Sequence, residues 1–322
     1  MMMDDPFNVL RPRTVTVRVS AKVNLALGVG SLELDGFHPL ATVFEAIGIH
    51  DEVTLTRRDD NRITLTVAGE DADQIPTDET NLAWRAVELV REEFDMEWGE
   101  CNRGVDIHID KSIPIAGGMA GGSADAAGAL LAAAALCRLP ECPENLHPLA
   151  AQLGSDVPFC LMGGVALGRG RGDRLAPVIC RGRHHWVIAT SKQGLSTPAV
   201  YHRFDQMGGN PGGESVPNTL IAALTRGDLD AVAATMSNDL QAPALDLRPE
   251  LGEVLAVGQH AGALTGLVSG SGPTCAFLVR DIVGAKKVSA AVSSLPQVDR
   301  TRTAFGPVAG AQVLPGPEGS FA

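Results

Sequence analysis

The chain has 322 residues, 45% of them hydrophobic and 20% charged, with a formal net charge of −12. That length is more than a single core usually covers, so two domains are expected. The acid excess argues against a nonspecific nucleic-acid or anionic-membrane partner, which requires positive surface. The opening stretch MMMDDPFNVLRPRT lacks the apolar segment of a signal peptide. The longest apolar run, Ala126 to Cys137, is too short to span a bilayer, so a soluble cytoplasmic protein is the expectation. The six cysteines (101, 137, 142, 160, 180 and 275) form no CxxC pair and read as free thiols in a reducing compartment.

In chain order, TVTVRVS (14–20) alternates valines on one face and predicts a strand. DEVTLTRRDDNRITLTVAG (51–69) holds two alternating runs around a charged turn, which predicts a hairpin. Helical spacing follows over 80–94, then a strand, VDIHID (105–110), that runs into a glycine cluster. A helix over 123–137, a short helix near 146–153 and a glycine-rich strand at 163–169 complete the first half. The second half opens with the buried-strand pattern WVIAT (186–190) and a loose Gly/Pro/Asn loop, 206–218. Helical segments lead to ALTGLVSGSGPTCAFLVR (263–280), which reads as two strands around a Gly-Ser turn. A last helix–strand pair precedes a tail, LPGPEGSFA, that reads as disordered. The pattern is α+β, with domains expected at 1–185 and 186–322.

The glycine cluster, IPIAGGMAGGSADAAGALLAAAAL (113–136), carries the first chemical signal. Exposed amides at a helix N-terminus and the positive end of its dipole form an anion site, and Gly117, Gly118, Gly121 and Gly122 let a phosphate approach the backbone closely. Ser123 reads either as an N-cap or as a hydroxyl for phosphate or metal. A tight strand-to-helix turn is the plainer alternative, but four glycines in six residues exceed what a turn requires. No GxxxxGK[ST] or GxGxxG spacing occurs, so the loop is neither of those phosphate-binding types.

Residues 114–127 resemble the phosphate loop of the GHMP kinases, and two further stretches, SAKVNLAL (20–27) and SGSGPTCAFLV (269–279), are similar to the first and third motifs of that family. The resemblance implies a two-domain GHMP kinase fold: an N-terminal domain like the second domain of ribosomal protein S5 and a ferredoxin-like C-terminal domain, with the site between them. DGFHPLATVF (35–44), GSDVPFCLMGGVALGRGRGD (154–173), STPAVY (196–201) and SNDLQ (237–241) resemble the member of the family that acts on a cytidine-diphosphate-linked methylerythritol. The implied reaction is ATP-dependent phosphorylation of the 2-hydroxyl of that small molecule, in non-mevalonate isoprenoid synthesis, with Mg2+ accompanying ATP.

The residue types suit this chemistry. An alcohol must lose a proton whose pKa lies far above neutrality while charge on the migrating phosphoryl group is stabilised. Asp156, beside Gly154 and Pro158 at an expected helix-to-strand turn, serves as base if it faces the hydroxyl; a turn or capping aspartate is the alternative. Lys22 sits in the otherwise apolar VSAKVNLAL; it is either a strand-edge surface lysine or the ammonium that lowers the hydroxyl pKa. Asn24 shares the face of Lys22 in a regular strand and can hydrogen-bond the substrate. By resemblance, Phe37 and Tyr201 (the only tyrosine) sandwich the cytosine, His38 bonds its edge, and Thr197 belongs to the substrate loop. Resemblance likewise assigns adenine to Asn81, Leu82 and Lys111, and the phosphates to Pro114, Ile115, Ala116, Gly117, Gly118, Met119, Ala120, Gly121, Gly122, Ser123 and Ala124. No histidine shows metal spacing, and no dedicated metal ligands are expected. The loop departs from the usual pattern: where many relatives read GGGLGGGSSN, this chain reads AGGMAGGSAD. Alanine tolerates a close approach at negative φ but is strained in a left-handed position. Two rival readings stand beside this one: a kinase of the same superfamily with another substrate, and a ligand sensor on a kinase scaffold.

Overall fold

The computed structural model describes residues 13–94, 104–115, 117–137, 139, 143–210 and 213–315. Cys101, Cys142, Ala116 and most of the terminal tail therefore lie outside the described residues; Cys137, Cys160, Cys180 and Cys275 are free. No described helix is long and apolar enough to cross a membrane.

The first half of the chain supplies most of a larger, eight-stranded sheet: β1 (Thr14–Val29), β2 (Leu40–Arg58), β3 (Ile63–Gly69), β4 (Gly104–Lys111), β5 (Val165–Gly170) and β6 (Arg174–Pro177). The valine alternation of 14–20 and the motif SAKVNLAL fuse into the single strand β1, whose register with β2 shifts at Ser20/Ala21 and again at Asn24/Ala26. From Val19 onward every residue of β1 is buried, because both of its faces are covered.

The expected hairpin over 51–69 does not form. β3 pairs in parallel with β4, and β4 inserts antiparallel against β2, so β2 and β3 are not neighbours. Alternation identifies a strand but not its partner. A parallel partner needs a crossover, and helix α1 (Leu82–Glu93) between β3 and β4 supplies it. The charged turn is closed instead by Asp60, which accepts from Arg58 and Arg62 at 2.7 Å each.

Helix α2 (Gly121–Cys137) packs beneath β1 and β2, and every residue from Ala124 to Cys137 is buried. Its alanine-rich face permits this closeness: a Cβ at Gly128 would lie 2.8 Å from Val53 Cγ2. Helix α3 (Pro143–Leu153) follows, then the short helix α4 (Val157–Met162), which starts directly after Asp156 where a bare turn was expected.

The second half builds a four-stranded antiparallel sheet from β7 (His184–Ser191), β9 (Thr265–Val268), β10 (Cys275–Val279) and β11 (Val298–Gly306), in the order β11-β7-β10-β9. Helices α5 (Thr197–Gln206), α6 (Asn218–Arg226), α7 (Leu229–Thr235), α8 (Gln241–Leu247) and α9 (Glu250–His260) lie between β7 and β9, and α10 (Ile282–Ser293) lies between β10 and β11. Strand, helices, two strands, helix, strand in spatial order 4-1-3-2 is the ferredoxin-like arrangement. The second half also returns two short strands, β8 (Ser237–Asn238) and β12 (Gln312–Val313), to the edge of β1 that β2 leaves open, β12 near its start and β8 near its end.

A buried ionic contact ties the two sheets. Glu45 on β2 is fully buried; His184 Nδ1 meets its Oε2 at 2.5 Å and Trp186 Nε1 donates to its Oε1 at 3.0 Å, both from β7. Burial alone would lower the His184 pKa, but hydrogen bonds to Cys180 and Glu45, together with the Glu45 charge, raise it from 6.5 to about 10. A folded pKa above the unfolded one stabilises fully below the unfolded value and is lost as pH rises through the folded value. The stability advantage of wild type over His184→Gln is therefore expected to be complete below pH 6.5 and to fade towards about pH 10, read as denaturation midpoints across that window. An advantage independent of pH would remove the charge from this contact.

Candidate active site

The glycine-rich loop joins β4 to α2 and is anchored from below. Asp51 of β2, fully buried, accepts from the backbone amides of Ser112 at 2.6 Å and Ile113 at 2.7 Å. Lys111 Nζ bridges Asp51 Oδ2 at 2.5 Å and Asp125 Oδ2 at 2.8 Å, so one triad clasps the loop's start and the helix at its end. Burial pushes Asp125 up to about 8, against the pull of the Lys111 charge, and Asp51 adds to the rise. Burial works to lower Lys111, but the charges of Asp125 and Asp51 prevail and raise it.

The three residues assigned to adenine differ in what their side chains face. The Lys111 side chain is 2% exposed and its ammonium is taken up by two carboxylates. Asn81 is the N-cap of α1: its Oδ1 accepts from Ala83 N and its Nδ2 donates to Pro76 O, both at 2.8 Å. Both polar side chains are thus satisfied within the protein, since a buried donor or acceptor takes its partner where the fold supplies one. Leu82, the first residue of α1, does line a cavity beside the loop.

Within the loop, Gly117, Gly118, Ala120, Gly121, Gly122 and Ser123 line that cavity, whose volume is about 380 Å³. Pro114, Met119 and Ala124 are buried beneath it, and Ile115 faces a separate cleft. The loop leans on the third motif: Ser269 Oγ donates to Gly118 O at 3.1 Å, and a Cβ at Gly118 would lie 2.1 Å from Ser269 O. Gly118 has φ +68°, which suits glycine, but Ala120 has φ +62° and carries a Cβ. An L-residue there costs roughly 1–2 kcal/mol. Ala120→Gly is accordingly expected to raise folding stability by about 0.5–1 kcal/mol, after the added unfolded-state entropy is subtracted. A thermal midpoint unchanged or lowered by that substitution would show the loop is not strained at Ala120.

Across the cavity from the loop, Lys22 projects from β1 and is 4% exposed. Its ammonium donates to Asn24 Oδ1 at 2.8 Å, stands 3.6 Å from Asp156 Oδ2 and lies 5.5 Å from the Phe44 ring centroid. Asn24 Nδ2 in turn donates to Thr42 Oγ1 at 2.8 Å, and Thr42 donates to Ala26 O at 2.8 Å, so the row is fixed along the β1–β2 pairing. Asp156 occupies the N-cap position of α4, yet its side chain makes no capping bond. It turns to Lys22 instead, and its side chain remains 30% exposed to the cavity.

A second chamber of about 670 Å³ adjoins the first and is lined by Phe37, His38, Tyr201 and Asp205 among others. The His38 and Tyr201 rings are 5.0 Å apart and tilted by 38°. His38 Nε2 also meets Asp205 Oδ1 at 2.9 Å, so one side of the imidazole is held by the protein. Phe37 is half exposed at the rim. Burial first, and the Asp156 charge second, push the Tyr201 phenol up to about 12, which leaves a neutral ring facing the chamber. Thr197 lines both chambers, with its Oγ1 at 2.8 Å from Ser271 Oγ.

Thr42, Phe44, Asp51, Asp125 and Asp205 were not among the residues expected from the sequence. Asp205 had a readable signal, since it stands four residues after Tyr201 and so on the same helical face. Among the described residues no group of three or more His, Cys, Asp or Glu side chains is arranged to hold a metal ion.

Two family models match the chain: the N-terminal domain of GHMP kinases over residues 81–164 and the C-terminal domain of GHMP kinases over residues 220–296. The chain is 83% identical over 309 residues to 4-diphosphocytidyl-2-C-methyl-D-erythritol kinase of Cutibacterium acnes, covering 96% of this chain and 100% of the relative. It is 49% identical over 312 residues to the protein of the same name from Mycolicibacterium smegmatis, covering 95% and 94%. A crystal structure of 4-(cytidine 5'-diphospho)-2C-methyl-D-erythritol kinase superposes with a TM-score of 0.71 at 31% identity, covering 90% of this chain and 98% of that one. Homoserine kinase from Cytophaga hutchinsonii shares the fold, with a TM-score of 0.73 at 20% identity over 98% of this chain and 100% of that one.

Proposed function

The chain belongs to the GHMP kinases, and on that premise we propose that it transfers the γ-phosphoryl group of ATP to the 2-hydroxyl of 4-diphosphocytidyl-2-C-methyl-D-erythritol. The products are ADP and the 2-phosphate, and the step lies in non-mevalonate isoprenoid precursor synthesis. Beyond the kinship, the observation that carries the reading is the 3.6 Å meeting of Lys22 and Asp156 between a phosphate loop and an aromatic chamber.

In this reading the substrate's cytosine enters the chamber of Phe37, His38 and Tyr201, and its 2-hydroxyl points at Asp156. Asp156 accepts the hydroxyl proton as the new O–P bond forms. The Lys22 ammonium, 3.6 Å from Asp156, stabilises the alkoxide character that develops on the attacking oxygen. Asn24, locked to Thr42, orients the acceptor. The triphosphate rests on the amides of residues 117–123 at the positive end of α2, with Leu82 against the adenine. Magnesium would be held by phosphate oxygens and water, with the Ser123 hydroxyl the nearest loop ligand, and would neutralise charge on the phosphates. Catalysis is positioning and electrostatics, with no covalent enzyme intermediate. The same reading makes the protein a cytoplasmic enzyme with small-molecule partners and no nucleic-acid or membrane surface, in keeping with its net charge of −12.

Phosphoryl transfer measured with the cytidine substrate against its uridine analogue, and against mevalonate and homoserine, tests reaction and base recognition together. ADP release with the cytidine compound alone is expected. Turnover of mevalonate or homoserine, with CDP failing to inhibit, would reassign the substrate. Asp156→Ala is expected to lower turnover by roughly 10²–10⁴ with substrate affinity little changed. Near-normal turnover in that variant removes Asp156 from the mechanism.

A further inference from the structure

The two chambers share a short common wall: Leu40, Ser155, Arg171, Thr197 and Tyr201 line both. Only one of these five is charged. Arg171 sits in the turn between β5 and β6, flanked by Gly170 at φ +72° and Gly172 at φ +97°, and its amide donates to Asp173 Oδ1 at 3.1 Å. The backbone at this position is therefore defined by two left-handed glycines and a side-chain brace. The guanidinium lies 5.3 Å from the Phe37 ring centroid, at the mouth of the larger chamber.

The other charged groups around the chambers leave this cation alone. Lys22 pairs with Asp156 at 3.6 Å, and Asp205 shares a hydrogen bond with His38 at 2.9 Å. Arg171 forms no ion pair with a described residue, in a chain whose net charge is −12. An acceptor whose base lies in the larger chamber, and whose alcohol lies at Asp156 in the smaller one, has its linker at the common wall. In a nucleoside-diphosphate-linked alcohol that linker is the dianionic diphosphate. A planar guanidinium with paired donors is the side chain that matches phosphate oxygens.

We infer that Arg171 holds the substrate's diphosphate at the junction of the two chambers and so selects nucleoside-diphosphate-linked acceptors over those lacking the linker. This rests on the function proposed above, and its test is arranged so that the two can fail separately. Binding of CDP and of cytidine to the full-length enzyme is measured by titration calorimetry for wild type, Arg171→Met and Arg171→Lys. KM for the cytidine-diphospho substrate and for ATP, and kcat, are measured alongside.

Arg171→Met is expected to weaken CDP binding, and to raise KM for the acceptor, by about ten- to hundredfold, the usual worth of a charge-assisted contact. Cytidine affinity, KM for ATP and kcat stay near wild type, and Arg171→Lys falls between, because it keeps the charge but not the fork. Equal weakening of CDP and cytidine would overturn the inference, since the guanidinium would then act through Phe37 and the base. Unchanged CDP binding would overturn it outright. Because the contrast between CDP and cytidine is read from binding, it stands or falls even where the substrate proves not to be turned over, an outcome that would count against the proposed reaction instead.

Discussion

A lysine ammonium left 4% exposed inside a protein must be paired and hydrogen-bonded, and the site is organised around meeting that need for Lys22. Its partners come from three places. Asn24 lies two residues on in the same strand, Asp156 opens α4, and the backbone amide of Lys22 donates to Met119 O in the phosphate loop at 3.3 Å. Strand and helix are thereby held together through the ammonium, and strand and loop through a backbone hydrogen bond. Because Asp156 spends no oxygen on capping its own helix, its carboxylate is left facing the cavity.

Two other buried charge clusters frame this centre. The Lys111–Asp51–Asp125 triad lies under the loop, and the Glu45–His184–Trp186 contact joins the sheets behind it. Such clusters contribute little net stability compared with well-packed apolar residues, but breaking one partner is costly. Their value here is positional. The triad fixes both ends of a loop whose own residues are small and make few side-chain contacts. Glu45 sits next to Phe44 in β2, and Phe44 stacks on Phe159 at 4.8 Å while facing Lys22, so the junction between the sheets is one residue from the site.

The loop itself carries strain where it lines the smaller cavity. Ala120 adopts a left-handed conformation that its Cβ disfavours, held by Met119 buried on one side and by the first turn of α2, where Ala124 N donates to Ala120 O at 2.8 Å, on the other. Strain of this kind persists only where the surroundings over-determine the backbone. The packing of Gly118 against Ser269 is part of that surround, and it makes the third motif a structural wall of the second.

Much of this was legible in the chain. Alternating valines marked β1, helical spacing marked α1, an alanine-leucine run marked α2, and the glycine cluster marked the loop that lines the smaller cavity, because each depends on interactions within a few residues. The order of motifs and the ferredoxin-like second half followed from resemblance. What the sequence could not settle were matters of partnership. Whether β3 pairs with β2 or β4 depends on a crossover helix, and whether Lys111 and Asn81 face a ligand or are spent internally depends on Asp51, 60 residues away from Lys111, and on the carbonyl of Pro76. The separation of Lys22 from Asp156 in the chain says nothing about their meeting, and only the packing of α4 against β1 brings them together. Local periodicity is written in the sequence because the backbone repeats; the neutralisation of a buried charge is decided in space, by whichever distant group the completed fold brings within reach.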